Sequence, residues 1–285
     1  MIVLAAAVAL LGSLFFALGA ALQQFEAARA GESRLRFLLR RPRWLLGGVS
    51  VLTGGALHIV ALSLGPLTVV QPMGVASLLF ALPIAAALHG RRPARAELVA
   101  ASVVAAGLIG LVLLVPAPTG APTLTGPGGA AMLAGAALAA LTCFAVARRA
   151  APALGTALLA VGAGVMYGAT ATITRVLVDR VVVHGSGWDP WLLAALPLPA
   201  LAALMLLQRA YATPSRDPEA GGHFPVAFAA LQVTDPLTAV TFGVLLLGEP
   251  LPVNTLAAVA AAVLAGAGTV ALARTTPLSR AATPS

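Results

Sequence analysis

Asp235 is the residue best placed to do chemistry in this 285-residue chain, being the one acid of nine that falls near the middle of an apolar stretch. An ionised carboxylate at the centre of a bilayer is costly, so such a group faces a cavity or a partner, where it can exchange a proton or bind a solute. Pro236 follows it directly. A proline inside a helix removes one N–H and frees the carbonyl one turn back, which lipid tolerates only where neighbours, water or a cavity satisfy it. Gln232, Thr234 and Thr238 add polar atoms to the same turns. Asp235 therefore reads either as a substrate- or proton-binding carboxyl or as a hydrogen-bonded one that fixes packing at a proline break.

Gln71-Pro72 is its counterpart in the first half. A glutamine donates and accepts but cannot change charge, so it either contacts a solute or bonds a neighbouring helix across the kink. Gly164, Gly168, Ala171 and Arg175 follow i, i+4, i+7, i+11 spacing and share one helix face. The Gly164-xxx-Gly168 pair marks that face for close approach to another helix, which turns Arg175 into the bundle. At ~1.5 Å per residue, Asp235 lies about 18 Å below the outer end of its helix and Arg175 about 5 Å below its own. The mismatch weighs against an Arg175–Asp235 pair and favours snorkelling of Arg175 to the outer headgroups. His58 reads as a proton-responsive group on the outer half of a path, or as a hydrogen-bonded packing residue. Tyr167, Thr170 and Thr174 share a face that either lines a path or bonds backbone carbonyls. The single cysteine, Cys143, reads as a small packing residue, and no His, Cys, Asp and Glu group has metal-site spacing. No Walker loop or HExxH occurs, so neither an enzyme nor a resident cofactor is expected.

The frame for these residues follows from composition. The chain is 60% hydrophobic and 9% charged, with a mean hydropathy of +0.98, against roughly 25% charged in a soluble domain. That excludes a soluble enzyme, a secreted domain and a disordered chain, and leaves an all-α polytopic membrane protein. A spanning helix takes about 20 apolar residues. Nine spans can be marked, at about 2–24, 44–64, 66–89, 98–116, 129–147, 156–178, 190–208, 224–247 and 252–274. The first reads as a membrane helix and not a signal peptide, because no basic residue precedes it. Gly65-Pro66 closes a tight hairpin between the second and third, and the tail from Thr275 is too short and polar for a tenth.

All 17 basic residues are arginines, and fifteen of them follow odd-numbered spans. They are Arg29, Arg34, Arg36, Arg40, Arg41 and Arg43, then Arg91, Arg92 and Arg95, then Arg148 and Arg149, Arg209 and Arg216, and Arg274 and Arg280. The positive-inside rule makes that side cytoplasmic, with the N-terminus outside and the C-terminus inside. Arginine without lysine, beside abundant alanine, is the composition of a GC-rich bacterial genome, so a bacterial cytoplasmic (inner) membrane is expected. Trp44, Trp188 and Trp191 fall at span ends, where an interfacial aromatic belt belongs. The net charge of +8 lies between apolar blocks and suits lipid headgroups, not nucleic acid.

A weak internal repeat is visible. A helix with Gln71-Pro72 ends at His89-Gly90-Arg91-Arg92 and is followed by a glycine-containing helix; a helix with Asp235-Pro236 ends at Gly248-Glu249-Pro250-Leu251 and is followed by one carrying Gly266 and Gly268. With nine spans the third runs inward and the eighth outward, so the halves are inverted, as in many secondary transporters. The expected division is a first repeat of five helices over 1–150, a second of four over 151–275, and a cytoplasmic tail over 276–285.

The stretch Phe242-Gly243-Val244-Leu245-Leu246-Leu247-Gly248-Glu249-Pro250-Leu251, with the Gly266/Gly268 helix after it, resembles the EamA-type domain of the drug/metabolite transporter superfamily. Leu67-Thr68-Val69-Val70-Gln71-Pro72-Met73-Gly74, and more faintly Leu22-Gln23-Gln24, resemble the NIPA-like magnesium transporter branch. The resemblance implies an inverted-repeat bundle of about nine helices (5+4), alternating access and a central cavity. It carries over to Pro72, Gly74, Pro236, Gly248 and Glu249 as chiefly structural positions. Two features depart from it: Arg91-Arg92 stand where the superfamily usually has an acid, and the tenth helix of the larger EamA transporters is missing.

Magnesium is strongly hydrated and favours carboxylates with retained waters, for which one mid-membrane acid is thin provision. The preferred expectation is a secondary transporter of a small organic metabolite or drug, open to proton coupling. A NIPA-like magnesium transporter, with Asp235 as metal ligand, is the alternative, and a non-transporting membrane scaffold or accessory subunit a third. Membrane lipids and a small-molecule or ion substrate are the expected partners, with a homodimer left open.

Overall fold

A computed structural model describes residues 2–31, 34–65, 67–116, 121–183, 185, 189–214 and 222–275, without the side chains at 67, 68, 71, 182 and 183. These residues form helices and connections, with no strand among them. In chain order the helices are α1 (Ile2–Ala30), α2 (Leu35–Leu38), α3 (Pro42–Leu64), α4 (Leu67–Leu88), α5 (Arg95–Leu114) and α6 (Gly126–Ala147). They continue with α7 (Pro152–Val178), α8 (Pro190–Ala195), α9 (Pro197–Tyr211), α10 (Phe224–Leu246) and α11 (Thr255–Thr275). Prolines open the first turns of α3, α6, α7 and α10, where a missing N–H costs nothing. Thr125 caps α6 by accepting from Gly128 N at 3.1 Å. Glu97 closes the start of α5, accepting from Ala94 N at 3.1 Å and pairing with Arg91 at 2.8 Å.

Eight helices among the described residues are long and apolar enough to cross a membrane, with α8 and α9 counting as one kinked helix and the π-helical turn Asp179–Val183 extending α7. The remaining apolar helix, α4, contributes a shorter stretch, Pro72–Leu88. Of the nine spans expected from sequence, eight correspond to helices long and apolar enough to cross, and the third corresponds to this shorter apolar stretch. The kink between α8 and α9 falls at Leu196, ahead of Pro197 and Pro199, which supply no backbone N–H. The short α2 lies in the arginine-rich loop after α1 and was not foreseen.

Burial is inverted relative to a water-soluble fold. The buried positions are dominated by alanine and glycine, while Leu52 (75% exposed), Ile59 (70%) and Leu256 (81%) point outward. Without a hydrophobic drive between helices in lipid, association depends on close backbone approach, and small residues permit it. Three seams show this. α1 meets α3 where Gly12 faces Gly54 and Gly19 faces Gly47; α7 meets α10 at Gly164 and Gly168; α5 meets α11 at Gly107 and Gly268. The packing has a recurring pattern: α1 lies on α3 and α4, as α7 lies on α9 and α10. Likewise α4 packs on α5 as α10 packs on α11, and α5 and α11 pack on each other.

Candidate functional site

The seam between α7 and α10 carries the polar residues singled out by sequence. A Cβ on Gly164 would stand 2.7 Å from Thr234 Cβ and 3.1 Å from Asp235 N. One turn further, a Cβ on Gly168 would stand 2.6 Å from Thr238 Cβ and 3.0 Å from Asp235 O. The two glycines therefore bring α7 directly onto the backbone beside Pro236, whose missing N–H leaves the Gln232 carbonyl without its helical donor.

Burial along α10 changes at this point. Residues 224–231 are buried without interruption, which on a helix of 3.6 residues per turn means enclosure on every face. Each of residues 234–240, by contrast, keeps part of its surface open. Asp235 sits at the transition. Tyr167, one turn along α7 from Gly164, lies within electrostatic reach of Asp235, and Tyr211 at the end of α9 lies within reach of Tyr167. Thr170 and Thr174 donate to the carbonyls of Met166 and Thr170 at 2.8 and 2.9 Å, so their hydroxyls serve the backbone of α7.

At the end of the seam, a cavity of about 140 Å³ is lined by Val115 just past α5, Thr172 and Arg175 from α7, Ala239 and Val240 from α10, and Glu249. Arg175 pairs with Glu249 at 2.5 Å. This corrects the sequence expectation, which weighed Asp235 and the lipid headgroups as its partners. The depth argument against Asp235 holds, and the carboxylate at matching depth comes from beyond α10. Gly248, at φ +68°, turns the chain there, and Glu249 N donates back to Gly243 O at 3.1 Å, folding the acid against α10. A left-handed turn of this kind suits glycine, which has no Cβ to clash.

The first-half residues gather around α4. His58 on α3 reaches towards Gly74, its Cε1 lying 3.5 Å from where a Cβ would be. Beside Pro72, Ser13 on α1 donates to Met73 O at 2.7 Å. The Gln71 side chain lies outside the described residues. One turn past each proline break towards the arginine-rich side, Gln232 Nε2 donates to Ser77 Oγ at 2.7 Å and ties α10 to α4. His58 and Asp235 thus lie on different helices, α3 and α10, and are joined by no hydrogen bond or ion pair.

The arginine-rich end carries residues that sequence reasoning missed. Within the enclosed half of α10, Phe224 and Phe228 stack at 5.4 Å, with Tyr211 of α9 5.7 Å from Phe224. Next to them a cavity of about 220 Å³ is lined by Gln24, Arg29, His89 and Tyr211. Trp44 is buried and donates from Nε1 to Gln208 Oε1 at 3.0 Å, so it faces the bundle and not the expected lipid-facing belt. Trp191 sits at the other end with its ring against Gly129, and Trp188 lies outside the described residues. A buried glutamine on α9 opposite a tryptophan at the start of α3 was the available signal for this tie, but their sequence separation hid the pairing.

Chemically the site offers one central carboxyl, a tyrosine beside it and an ion pair above. Among the described residues no three His, Cys, Asp or Glu side chains gather as a metal site. No family model, no curated protein and no solved structure matches the chain.

Proposed function

We propose that the chain is a secondary transporter of the drug/metabolite type, moving a small organic solute across a bacterial cytoplasmic membrane by alternating access. In this reading α1, α3, α4, α5 and α6 form one repeat and α7 to α11 the other, inverted, with the N-terminus outside and the arginine-rich side cytoplasmic. The matching packing of α1 on α3 and α4, and of α7 on α9 and α10, supports that division. α4 is then a ninth crossing.

The observation that carries the reading is the change along α10. The helix is enclosed on its cytoplasmic half and open on its outer half, and Asp235 stands at the boundary beside a proline break. Broken helices that meet near the midplane are where transporters of inverted-repeat design bind their cargo. A carboxyl there alternates between binding a proton and binding a cationic group of the solute, which couples the two fluxes. Tyr167 and Tyr211 lead from Asp235 towards the inner cavity, and the Arg175–Glu249 cavity opens on the other side.

The test is accumulation of tetraphenylphosphonium in proteoliposomes driven by an imposed proton gradient. Wild type should accumulate the probe, and Asp235→Asn should abolish the gradient-driven part while the protein stays folded. Magnesium flux that disappears in Asp235→Asn would replace the organic cargo with a divalent cation. Flux of either probe that ignores Asp235 would refute its coupling role.

A further inference from the structure

A second concavity lies away from the α7–α10 seam, between α6 and α9 with Met166 of α7 as its floor, and encloses about 400 Å³. Its walls run from Leu133 to Phe144 on α6 and from Leu198 to Arg209 on α9. Each wall is twelve residues long, and its eleven rises of about 1.5 Å span about 16 Å. That is close to half of a hydrocarbon core of about 30 Å, which is one leaflet. Alanines 137 and 202 hollow the walls, and the rim residues Leu141, Leu198 and Met205 are exposed, so the groove opens towards lipid. Water would find almost no polar partner in it.

The one charged group in the lining is Arg209, at the arginine-rich end. Its guanidinium is held over the Phe144 ring at 4.9 Å, where a cation gains from the ring quadrupole. No carboxylate pairs with it among the described residues. Its fork of N–H donors matches a phosphate, which it can bind through two bonds at once. Arg148 and Arg149, both exposed, follow Phe144 by one turn and add positive charge on the same side.

We propose that the α6–α9 groove is a binding site for one anionic phospholipid of the arginine-rich leaflet, with an acyl chain in the groove and the phosphate on Arg209. The inference needs only that the chain lies in a membrane, and it stands independently of the transport reading. A lipid seated here fills the space that α6 leaves beside α9 and joins those two helices, which otherwise meet chiefly through α7.

The test is native mass spectrometry of the full chain, delipidated in detergent and titrated with phosphatidylglycerol or phosphatidylcholine. Wild type should retain one phosphatidylglycerol with about fivefold preference over phosphatidylcholine, the effect of one basic residue near an anionic headgroup. Arg209→Gln should bring the two lipids level, and Arg209→Lys should keep most of the preference. Ala202→Phe fills the groove and should weaken retention of both lipids. If Ala202→Phe fails to fold, the two Arg209 variants decide, because that side chain is exposed. Equal retention of both lipids by wild type, or an unchanged preference in Arg209→Gln, would overturn the proposal. So would a lipid-free dimer that Ala202→Phe converts to monomers, since a second copy would then occupy the groove.

Discussion

Replacing Gly168 by alanine tests the seam on which the central site depends. The new Cβ would stand 2.6 Å from Thr238 Cβ, 2.9 Å from Thr238 Cγ2 and 3.0 Å from Asp235 O. Ordinary contact begins near 3.4 Å, so the shortfall against Thr238 Cβ is about 0.8 Å. A Cβ and a carbonyl oxygen are fixed to the backbone of α10, and no rotamer change relieves either contact. The helix must withdraw as a body, and a gap of about 0.5–1 Å forfeits a quarter to a half of each dispersion contact along it. Overpacking of this kind costs about 1–3 kcal/mol. The control is Gly135→Ala on α6, where the added methyl meets nothing within 4 Å. There alanine gains up to about 1 kcal/mol of helix propensity. Gly168→Ala carries the same propensity gain, which cancels in the comparison, so the two variants should differ by the overpacking cost of about 1–3 kcal/mol, read as reversible unfolding in mixed micelles of rising SDS content. If Gly168→Ala unfolds at the same SDS fraction as Gly135→Ala, α7 and α10 are not in backbone contact at Asp235 and the reasoning fails.

Two further outcomes follow from the polar groups. Arg175→Glu and Glu249→Arg each set like charges in the cavity that the pair lines, and the double variant should recover the loss. The coupling expected from the double-mutant cycle is about 1 kcal/mol, held down by the 38% exposure of the Arg175 side chain. No recovery at low salt would show that the two residues do not pair. At the other end, burial lowers the pKa of the His223 imidazole below its ordinary value of 6.5. The unfolded chain then binds the extra proton first, so the stabilisation is complete above about 6.5 and is lost as pH falls towards the depressed folded value. His223→Gln should flatten the stability curve on the acid side of 6.5, and an identical curve for the two proteins would rule this out.

The span pattern is legible in sequence because a bilayer of fixed thickness demands a fixed length of apolar helix, and prolines such as Pro42, Pro152 and Pro225 mark where helices start. The glycine spacing of α7 is legible for the same reason: a helix has one period, so Gly164 and Gly168 must share a face. Choice of partner is not local in this way. Trp44 and Gln208 stand 164 positions apart, and Ser77 and Gln232 stand 155 apart. A tryptophan at a span end reads as an interfacial residue until the helix opposite it is known. Arg175 shows the same gap at shorter range. Depth along the helix argues against Asp235, but finding Glu249 requires knowing that the chain doubles back at Gly248. The break at Leu196, the turn α2 and the lipid-facing hollow beside Arg209 depend likewise on how neighbouring helices come together.

The enclosed half of α10 also bears on how the protein is made. Residues 224–231 emerge from the ribosome after α1 to α9, and their final surroundings include helices synthesised earlier, α1 and α7 among them. A segment sheathed by protein on every side cannot take its place by entering lipid alone. Insertion and assembly are therefore separate events for this helix: it first crosses as an independent apolar segment and then slots between partners already in the bilayer. Until that late docking, the faces of α1 and α7 that receive it are open to lipid, and a nascent chain halted before Phe224 is an unfinished bundle with its centre missing.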